Sequence, residues 1–213
     1  MNTSKKPEGT IILLHGLGAD GNDFVPIAET LALSAHIRFV FPDAPFRPVT
    51  INQGYVMRAW YDILSMKIDA KIDQEGIAES VKHIGTLIQQ ENELGIPTEK
   101  IILAGFSQGA VIALTTALSF PKKLAGVLAL SGYLPNPEPL SKQFSSANQQ
   151  TPIFLAHGTE DQIVPYLSGK NAYEFLQKHN YSVDWHQYTM GHTVSVEEIK
   201  DIKTWLNNIY SKM

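Results

Sequence analysis

The sequence predicts an α/β fold in which a mostly parallel, doubly wound sheet is flanked by helices. Short, continuously apolar segments at 10–14, 101–104 and 124–130 are typical of strands that are buried on both faces. Helical patterns alternate with them, and the clearest, 74–94, carries an apolar stripe and ends before a glycine. Because such a sheet binds ligands at the carboxyl ends of its strands, functional residues are expected there.

Size and composition indicate one globular domain. A chain of 213 residues with 44% hydrophobic and 18% charged residues can bury a sizeable core, so we expect a single domain over 1–213, with residues 1–9 flexible. The formal charge of -4 comes from scattered residues, without a basic stripe for nucleic acid or a polybasic cluster for a membrane. No cysteine is present, which excludes disulfides, thiolate metal sites and a cysteine nucleophile.

The apolar runs of the chain are short. The run that ends at Leu14 has only a strand's length, too little for a signal peptide, and no run approaches the roughly 20 residues of a spanning helix. Neither terminus carries a lipidation pattern. The sequence therefore predicts a cytoplasmic protein without stable membrane anchoring.

The segment Gly105-Phe-Ser-Gln-Gly109 is a Gly-x-Ser-x-Gly pattern between an apolar strand and an apolar helix. A serine hydroxyl at such a strand-to-helix turn is the nucleophile elbow of a hydrolase, and the two glycines leave open space around it. The bare pattern arises by chance in several per cent of chains, so its context carries the prediction. Ser107 is the predicted nucleophile; an idle serine in a glycine-rich turn is the alternative.

A base and an acid follow at later strand ends. His192, alone among the seven histidines, follows the final strand in a glycine-flanked loop, and Asp161 lies in the turn after the preceding strand. Glu160 is the rival acid, and Asp184 is less suited because it sits inside a predicted strand. The chain order of serine, aspartate and histidine is that of an α/β-hydrolase.

Two loops are candidates for substrate contact. One follows the first strand and contains three glycines over 15–21, so its backbone can approach a ligand. The other, 50–71, lacks regular periodicity yet is apolar, which is typical of a binding loop, although each side chain could equally cover the core. Whether 50–72 acts as a mobile lid stays open. The predicted substrate-binding residues are Gly16, Trp60, Leu64 and Ile68.

Five motifs, in order, resemble those of one family. They are His15-Gly-Leu-Gly-Ala-Asp-Gly21, Arg58-Ala-Trp-Tyr-Asp62, Ala104-Gly-Phe-Ser-Gln-Gly109, His157-Gly-Thr-Glu-Asp161 and Gly191-His192. From Thr10 onward the chain resembles the acyl-protein thioesterase and carboxylesterase (phospholipase/carboxylesterase) group of α/β-hydrolases. The resemblance implies a triad of Ser107, Asp161 and His192, with the backbone N–H groups of Leu17 and Gln108 as the oxyanion hole. Thr193 stands where this family commonly has serine.

The same resemblance implies a serine hydrolase that cleaves carboxylic esters or thioesters with apolar acyl chains through an acyl-enzyme. Its substrates would be small-molecule or lipid-acyl esters and thioesters, including acylated proteins, and the family is compatible with a homodimer. No cofactor is implied, and no metal-ligand spacing such as His-Glu-x-x-His is present. The alternatives are a lysophospholipase, which would use the same site, and a hydrolase-fold protein that binds an apolar ligand without turnover.

Overall fold

The computed structural model describes residues 6–65 and 71–212. Its centre is a six-stranded sheet in the order β2-β1-β5-β6-β7-β8, and every neighbouring pair is parallel. The strands of this sheet are β1 Gly9–Leu14, β2 Ile37–Val40, β5 Ile101–Phe106, β6 Gly126–Leu130, β7 Ile153–Gly158 and β8 Val183–Tyr188. A separate two-stranded antiparallel sheet consists of β3 Phe46–Val49 and β4 Tyr55–Arg58. The predicted parallel, doubly wound sheet is confirmed.

Helices cover both faces of the sheet. They are α1 Val25–Leu31, α2 Gln74–Glu93, α3 Gln108–Ser119, α4 Pro137–Leu140, α5 Tyr166–Lys178 and α6 Val196–Tyr210. Side chains of α2, α3 and α5 belong to one core cluster, and those of α1 and α6 belong to the other. Helix α3 is buried from Gln108 to Leu118, as its almost wholly apolar sequence requires.

The strand order places a crevice beside β1 and β5. From β1 the chain winds outward to β2, and the strands from β5 onward extend the sheet in the opposite direction. Ligands of doubly wound sheets bind at this switch point, outside the carboxyl ends of the two strands. Leu14 pairs with Gly105 in the register, so the loop after β1 and the turn after β5 emerge side by side.

The region 46–58 departs from the sequence prediction, which placed its second half in the irregular loop 50–71. It is a β-hairpin with Phe46 opposite Arg58 and Val49 opposite Tyr55. Three prolines between 42 and 48 hid this hairpin. A two-stranded ribbon has only edge strands, so it tolerates Pro48, whose missing amide needs no partner. No helix within 6–65 and 71–212 combines the length and apolar composition needed to cross a bilayer.

The sequence prediction of a flexible segment over 1–9 extends too far, because the first strand begins at Gly9. Gly9 already belongs to β1 and is buried, and the Glu8 amide donates to His36 O at 2.8 Å. The first five residues lie outside the described part of the chain. The chain thus enters the sheet immediately after its polar amino-terminal residues.

Candidate active site

Ser107 lies at the sharp turn between β5 and α3. Its φ of 55° and ψ of -119° are strained for a residue with a side chain, and its amide donates to Leu130 O at 2.8 Å. A Cβ on Gly105 would collide with Gly109 O, and one on Gly109 would collide with Leu14 O. The two glycines are therefore needed because α3 packs directly on β1 and β5, which differs from the predicted reason of leaving space around the hydroxyl.

His192, in the loop between β8 and α6, bridges Ser107 and Asp161. Its Nε2 lies 2.9 Å from Ser107 Oγ, and its Nδ1 lies 2.7 Å from Asp161 Oδ2. An ionised carboxylate can only accept hydrogen bonds, so Nδ1 carries the proton and Nε2 accepts from the serine hydroxyl. The Phe106 ring packs 4.7 Å from the imidazole and limits its movement.

Asp161 is held from both sides of its carboxylate. Oδ1 accepts from the amides of Ile163 and Val164, both at 2.9 Å, which leaves Oδ2 for His192. The side chain is fully buried. Glu160 and Asp184, the other acids that the sequence offered, are exposed. The structure therefore brings Asp161 to the imidazole.

The sequence prediction gave His157 no role, yet this residue lies against Asp161. Its Nε2 is 2.8 Å from Val164 O, which can only accept, so Nε2 carries the proton and reaches Asp161 Oδ2 at 3.4 Å. Burial lowers the pKa of His157 and favours the neutral ring. The available signal was its position before a glycine at a strand end, which His15 shares.

Leu17 and Gln108, the predicted oxyanion donors, border one cavity together with Ser107. Within 6–65 and 71–212, no protein group accepts a hydrogen bond from either amide. The Gln108 side chain is occupied elsewhere: Oε1 accepts from Trp60 N and Nε2 donates to Tyr61 O, both at 2.7 Å. Its amide and its side chain thus have separate roles.

Trp60 does not line a substrate groove, which corrects the sequence prediction. Its side chain is fully buried, and Nε1 donates to His15 O at 2.9 Å. The aromatic ring fills the core beneath the site because the hairpin turns the chain inward before residue 60. Leu64 does border the cavity beside Ser107, and Ile68 lies outside the described residues.

Two clefts meet at Ser107 and share Leu17 and Ile163 as walls. The first also borders Gly16 and His192, and its apolar walls are Phe24, Ile27, Phe106 and Val194. The second borders Gln108, and its apolar walls are Ile51, Tyr61, Ile63, Leu64, Ile72, Tyr133 and Val164. A bound molecule could therefore extend in two directions from the serine.

A capping box anchors the end of the loop that carries His192. Ser195 Oγ accepts from the Glu198 amide at 3.1 Å, and the Glu198 carboxylate accepts from the Ser195 amide at 3.3 Å. Glu198 is fully buried, and desolvation raises its pKa to about 7, with the Asp201 charge adding to the effect. The loop is therefore fastened by a carboxyl group that titrates near neutrality.

Glu198→Gln is expected to remove a pH dependence of stability. The folded protein holds the Glu198 proton more tightly than the unfolded chain, so wild-type stability falls as pH rises from about 4.5 to about 7. At about 1.4 kcal/mol per pKa unit, the advantage of the glutamine variant grows by about 2.5 kcal/mol between pH 5 and 8, since a smaller part of the effect already occurs below pH 5. Urea unfolding across this range measures it.

The exposed neighbour Glu197 supplies the matched control. Glu197→Gln should give an unfolding free energy that runs parallel to wild type at every pH. If Glu198→Gln also runs parallel to wild type, burial does not raise the pKa of Glu198.

Comparisons with known proteins agree on one family. The model of the phospholipase/carboxylesterase family matches residues 1–210. Acyl-protein thioesterase 1 of Yarrowia lipolytica is 42% identical over 204 residues, covering 92% of this chain and 90% of that protein. Carboxylesterase SOBER1 of Arabidopsis thaliana is 36% identical over 201 residues, covering 92% of this chain and 88% of that protein.

Solved structures give the same result. The crystal structure of Arabidopsis thaliana SOBER1 matches with a TM-score of 0.90 and 35% identity, over 94% of this chain and 98% of that one. Zea mays acyl-protein thioesterase 2 matches with a TM-score of 0.87 and 30% identity, over 99% of this chain and 97% of that one. The similarity therefore extends over nearly the whole chain in both sequence and fold.

Proposed function

Because this chain belongs to the phospholipase/carboxylesterase family of α/β-hydrolases and is a hydrolase, we propose that it cleaves carboxylic esters or thioesters with apolar acyl chains through a Ser107-His192-Asp161 triad. The observation that carries the proposal is the chain of contacts from Ser107 Oγ to His192 Nε2 at 2.9 Å and from His192 Nδ1 to Asp161 Oδ2 at 2.7 Å. This arrangement supplies a nucleophile, a base and an orienting carboxylate.

The first half-reaction forms an acyl-enzyme. Ser107 Oγ attacks the substrate carbonyl carbon while His192 Nε2 takes the hydroxyl proton, and the carbonyl oxygen becomes an oxyanion. Asp161 stabilises the resulting imidazolium, which then gives its proton to the departing alcohol or thiol. The acyl group stays on Ser107 as an ester.

The second half-reaction restores the enzyme. Water loses a proton to His192 Nε2 and attacks the Ser107 ester, and the collapsing intermediate releases the carboxylic acid as Ser107 Oγ regains the proton. The uncommitted amides of Leu17 and Gln108 would hold the oxyanion in both half-reactions. Each such donor is worth about 3 to 4 kcal/mol of transition-state stabilisation.

The position of His192 suggests how the substrate lies across the two clefts. His192 borders the first cleft and must hand its proton to the leaving group, so the leaving group belongs there. The acyl chain then occupies the second cleft, against Leu64 and the other apolar walls. Gly16 would lie beside the leaving group.

The named relatives extend the proposal to particular substrates. Because one relative is an acyl-protein thioesterase and another a carboxylesterase, acylated proteins and small acyl esters are both proposed substrates. The first cleft gives the leaving group a path away from Ser107, since Ser107 lies where both clefts meet. The homodimer that the resemblance allows stays a prediction.

Labelling with a fluorophosphonate probe, followed by a substrate panel, tests this function. The probe should modify Ser107 covalently, which peptide mass spectrometry would locate. The panel compares a p-nitrophenyl ester, an acyl thioester and lysophosphatidylcholine of equal acyl length. Turnover of lysophosphatidylcholine alone would favour the lysophospholipase alternative, and an unlabelled, inactive protein would favour a ligand-binding role.

The second cleft predicts a preference for longer acyl chains. From acetyl to octanoyl p-nitrophenyl esters, kcat/KM is expected to rise, because each CH₂ that the cleft buries contributes up to about 0.8 kcal/mol. Leu64→Trp should obstruct the cleft and lower kcat/KM for octanoyl far more than for acetyl.

Leu94→Trp, the same substitution at an exposed site beyond α2, is the control and should leave the profile unchanged. A profile that is flat with chain length would contradict the acyl assignment of this cleft.

A further inference from the structure

His15 follows β1 and lies beneath the loop that carries the Leu17 amide. Its side chain is fully buried and makes two short polar contacts. Nε2 lies 3.0 Å from the Ala44 amide nitrogen, and Nδ1 lies 2.7 Å from Gly16 O. His15 borders neither of the two clefts that meet at Ser107.

The two contacts determine which nitrogen carries the proton. The Ala44 amide is a donor, so Nε2 must accept. A neutral imidazole with an accepting Nε2 has its single proton on Nδ1, which donates to Gly16 O. A doubly protonated ring would set Nε2–H against the Ala44 N–H, so this position suits the neutral ring alone.

The bond to Gly16 O also determines the direction of the next amide. The Gly16 carbonyl and the Leu17 N–H belong to one peptide unit, and in a planar trans peptide they point in opposite directions. The unit is trans, since no cis peptide occurs in the described residues. When His15 holds the carbonyl, the Leu17 N–H points away from the imidazole, and Leu17 borders both clefts at Ser107.

Other bonds hold the peptides on either side. Trp60 Nε1 donates to His15 O at 2.9 Å, and the Gly18 amide donates to Arg58 O at 2.9 Å. The Ala19 amide adds a longer bond of 3.3 Å to Gly16 O. The strongest hold on the Gly16–Leu17 peptide is therefore the 2.7 Å bond from His15 Nδ1.

We propose that His15 is a positioning residue that, as the neutral Nδ1–H tautomer, turns the Leu17 N–H toward the oxyanion. This role rests on the proposed function, since it presupposes that Ser107 forms a tetrahedral intermediate. His15 touches no reacting atom, and it acts through the Gly16–Leu17 peptide. Losing it frees the peptide to rotate, so the oxyanion loses one of its two donors while substrate binding is spared.

Two isosteric variants separate the two bonds of the imidazole. His15→Asn places an amide N–H at the position of Nδ1 and keeps the bond to Gly16 O. His15→Gln places an amide oxygen at the position of Nε2, so it keeps the bond from the Ala44 amide and loses the one to Gly16 O. Both leave a polar group in the same buried site, which makes them a matched pair.

The measurements are kcat, KM and the inhibition constant of an alkyl trifluoromethyl ketone, whose adduct with serine mimics the tetrahedral intermediate. His15→Gln is expected to lower kcat on the order of 10²-fold, the effect of losing one oxyanion donor, with KM within about threefold of wild type. The inhibition constant should rise in step with the fall in kcat. His15→Asn should stay within about tenfold of wild type on both.

Urea unfolding of both variants separates this role from a purely structural one. Equal kcat losses in the two variants, or losses that follow unfolding free energy and leave the inhibitor affinity unchanged, would overturn the role of His15. So would a His15→Gln enzyme with wild-type kcat. If wild-type protein hydrolyses no ester and takes no fluorophosphonate label, the proposed function itself has failed.

Discussion

Ser107→Ala is expected to lower kcat by about 10⁶-fold, the loss seen when a triad nucleophile is removed. No other hydroxyl is hydrogen-bonded to His192 Nε2 in the described part of the chain, so no neighbouring side chain can take over the attack. Fluorophosphonate labelling should disappear together with turnover. KM for the residual reaction should change little, because the two clefts keep their walls.

The strained backbone at residue 107 allows a second variant, Ser107→Gly, to be compared in the same experiment. With φ at 55° and ψ at -119°, residue 107 occupies a conformation that glycine adopts more readily than serine or alanine. Ser107→Gly should therefore be as inactive as Ser107→Ala. Its free energy of unfolding in urea should exceed that of Ser107→Ala by about 1 kcal/mol or more. Turnover within about a hundredfold of wild type in either folded variant would exclude Ser107 as the nucleophile.

Asp161→Asn is expected to lower kcat by about 10⁴-fold with little loss of structure. Oδ1 accepts from two backbone amides, so the amide oxygen of the asparagine must take that position. The NH₂ group then faces His192 Nδ1, which has to become an acceptor. Its proton moves to Nε2, beside Ser107 Oγ, and the imidazole can no longer act as the base.

Glu160→Gln is the matched control for Asp161→Asn. The two acids are adjacent in the chain, and the sequence alone could not separate them beyond their position in the turn. Glu160 is exposed, so its substitution should leave kcat within about twofold of wild type, as expected of a surface change. If Glu160→Gln instead lowers kcat far more than Asp161→Asn does, Glu160 is the orienting acid.

Much of the fold follows from local patterns. The strand, turn and helix around Ser107 are continuous in the sequence, and the caps at Asp73 and Ser195 are each built from residues three apart. The family resemblance drawn from five short motifs is confirmed by a family match over residues 1–210. The three candidate triad residues could also be recognised from local sequence, because each of them follows its own strand. Their order along the chain is that of an α/β-hydrolase.

The wrong prediction about Trp60 shows where local patterns stop. An apolar residue in an irregular segment can face a ligand or the core, and nothing in the neighbouring sequence distinguishes the two. Trp60 is held in its buried position by two hydrogen bonds. Its Nε1 donates to His15 O and its backbone amide donates to Gln108 Oε1, and these partners lie 45 and 48 residues away in the chain. The 46–58 hairpin escaped prediction for a related reason, because two short strands form it only by pairing with each other.

The sequence alone thus establishes a parallel α/β sheet, a serine at its elbow, an acid and a base at later strand ends, and membership of a hydrolase family. The structure adds the tautomers of His15 and His157 and the bond from His15 to the Gly16 carbonyl, in the peptide unit that carries the Leu17 amide. These depend on which donor or acceptor each ring nitrogen meets, and the donors and acceptors come from separate segments of the chain. A hydrogen bond needs two atoms within about 3 Å, and only the folded chain brings such pairs together.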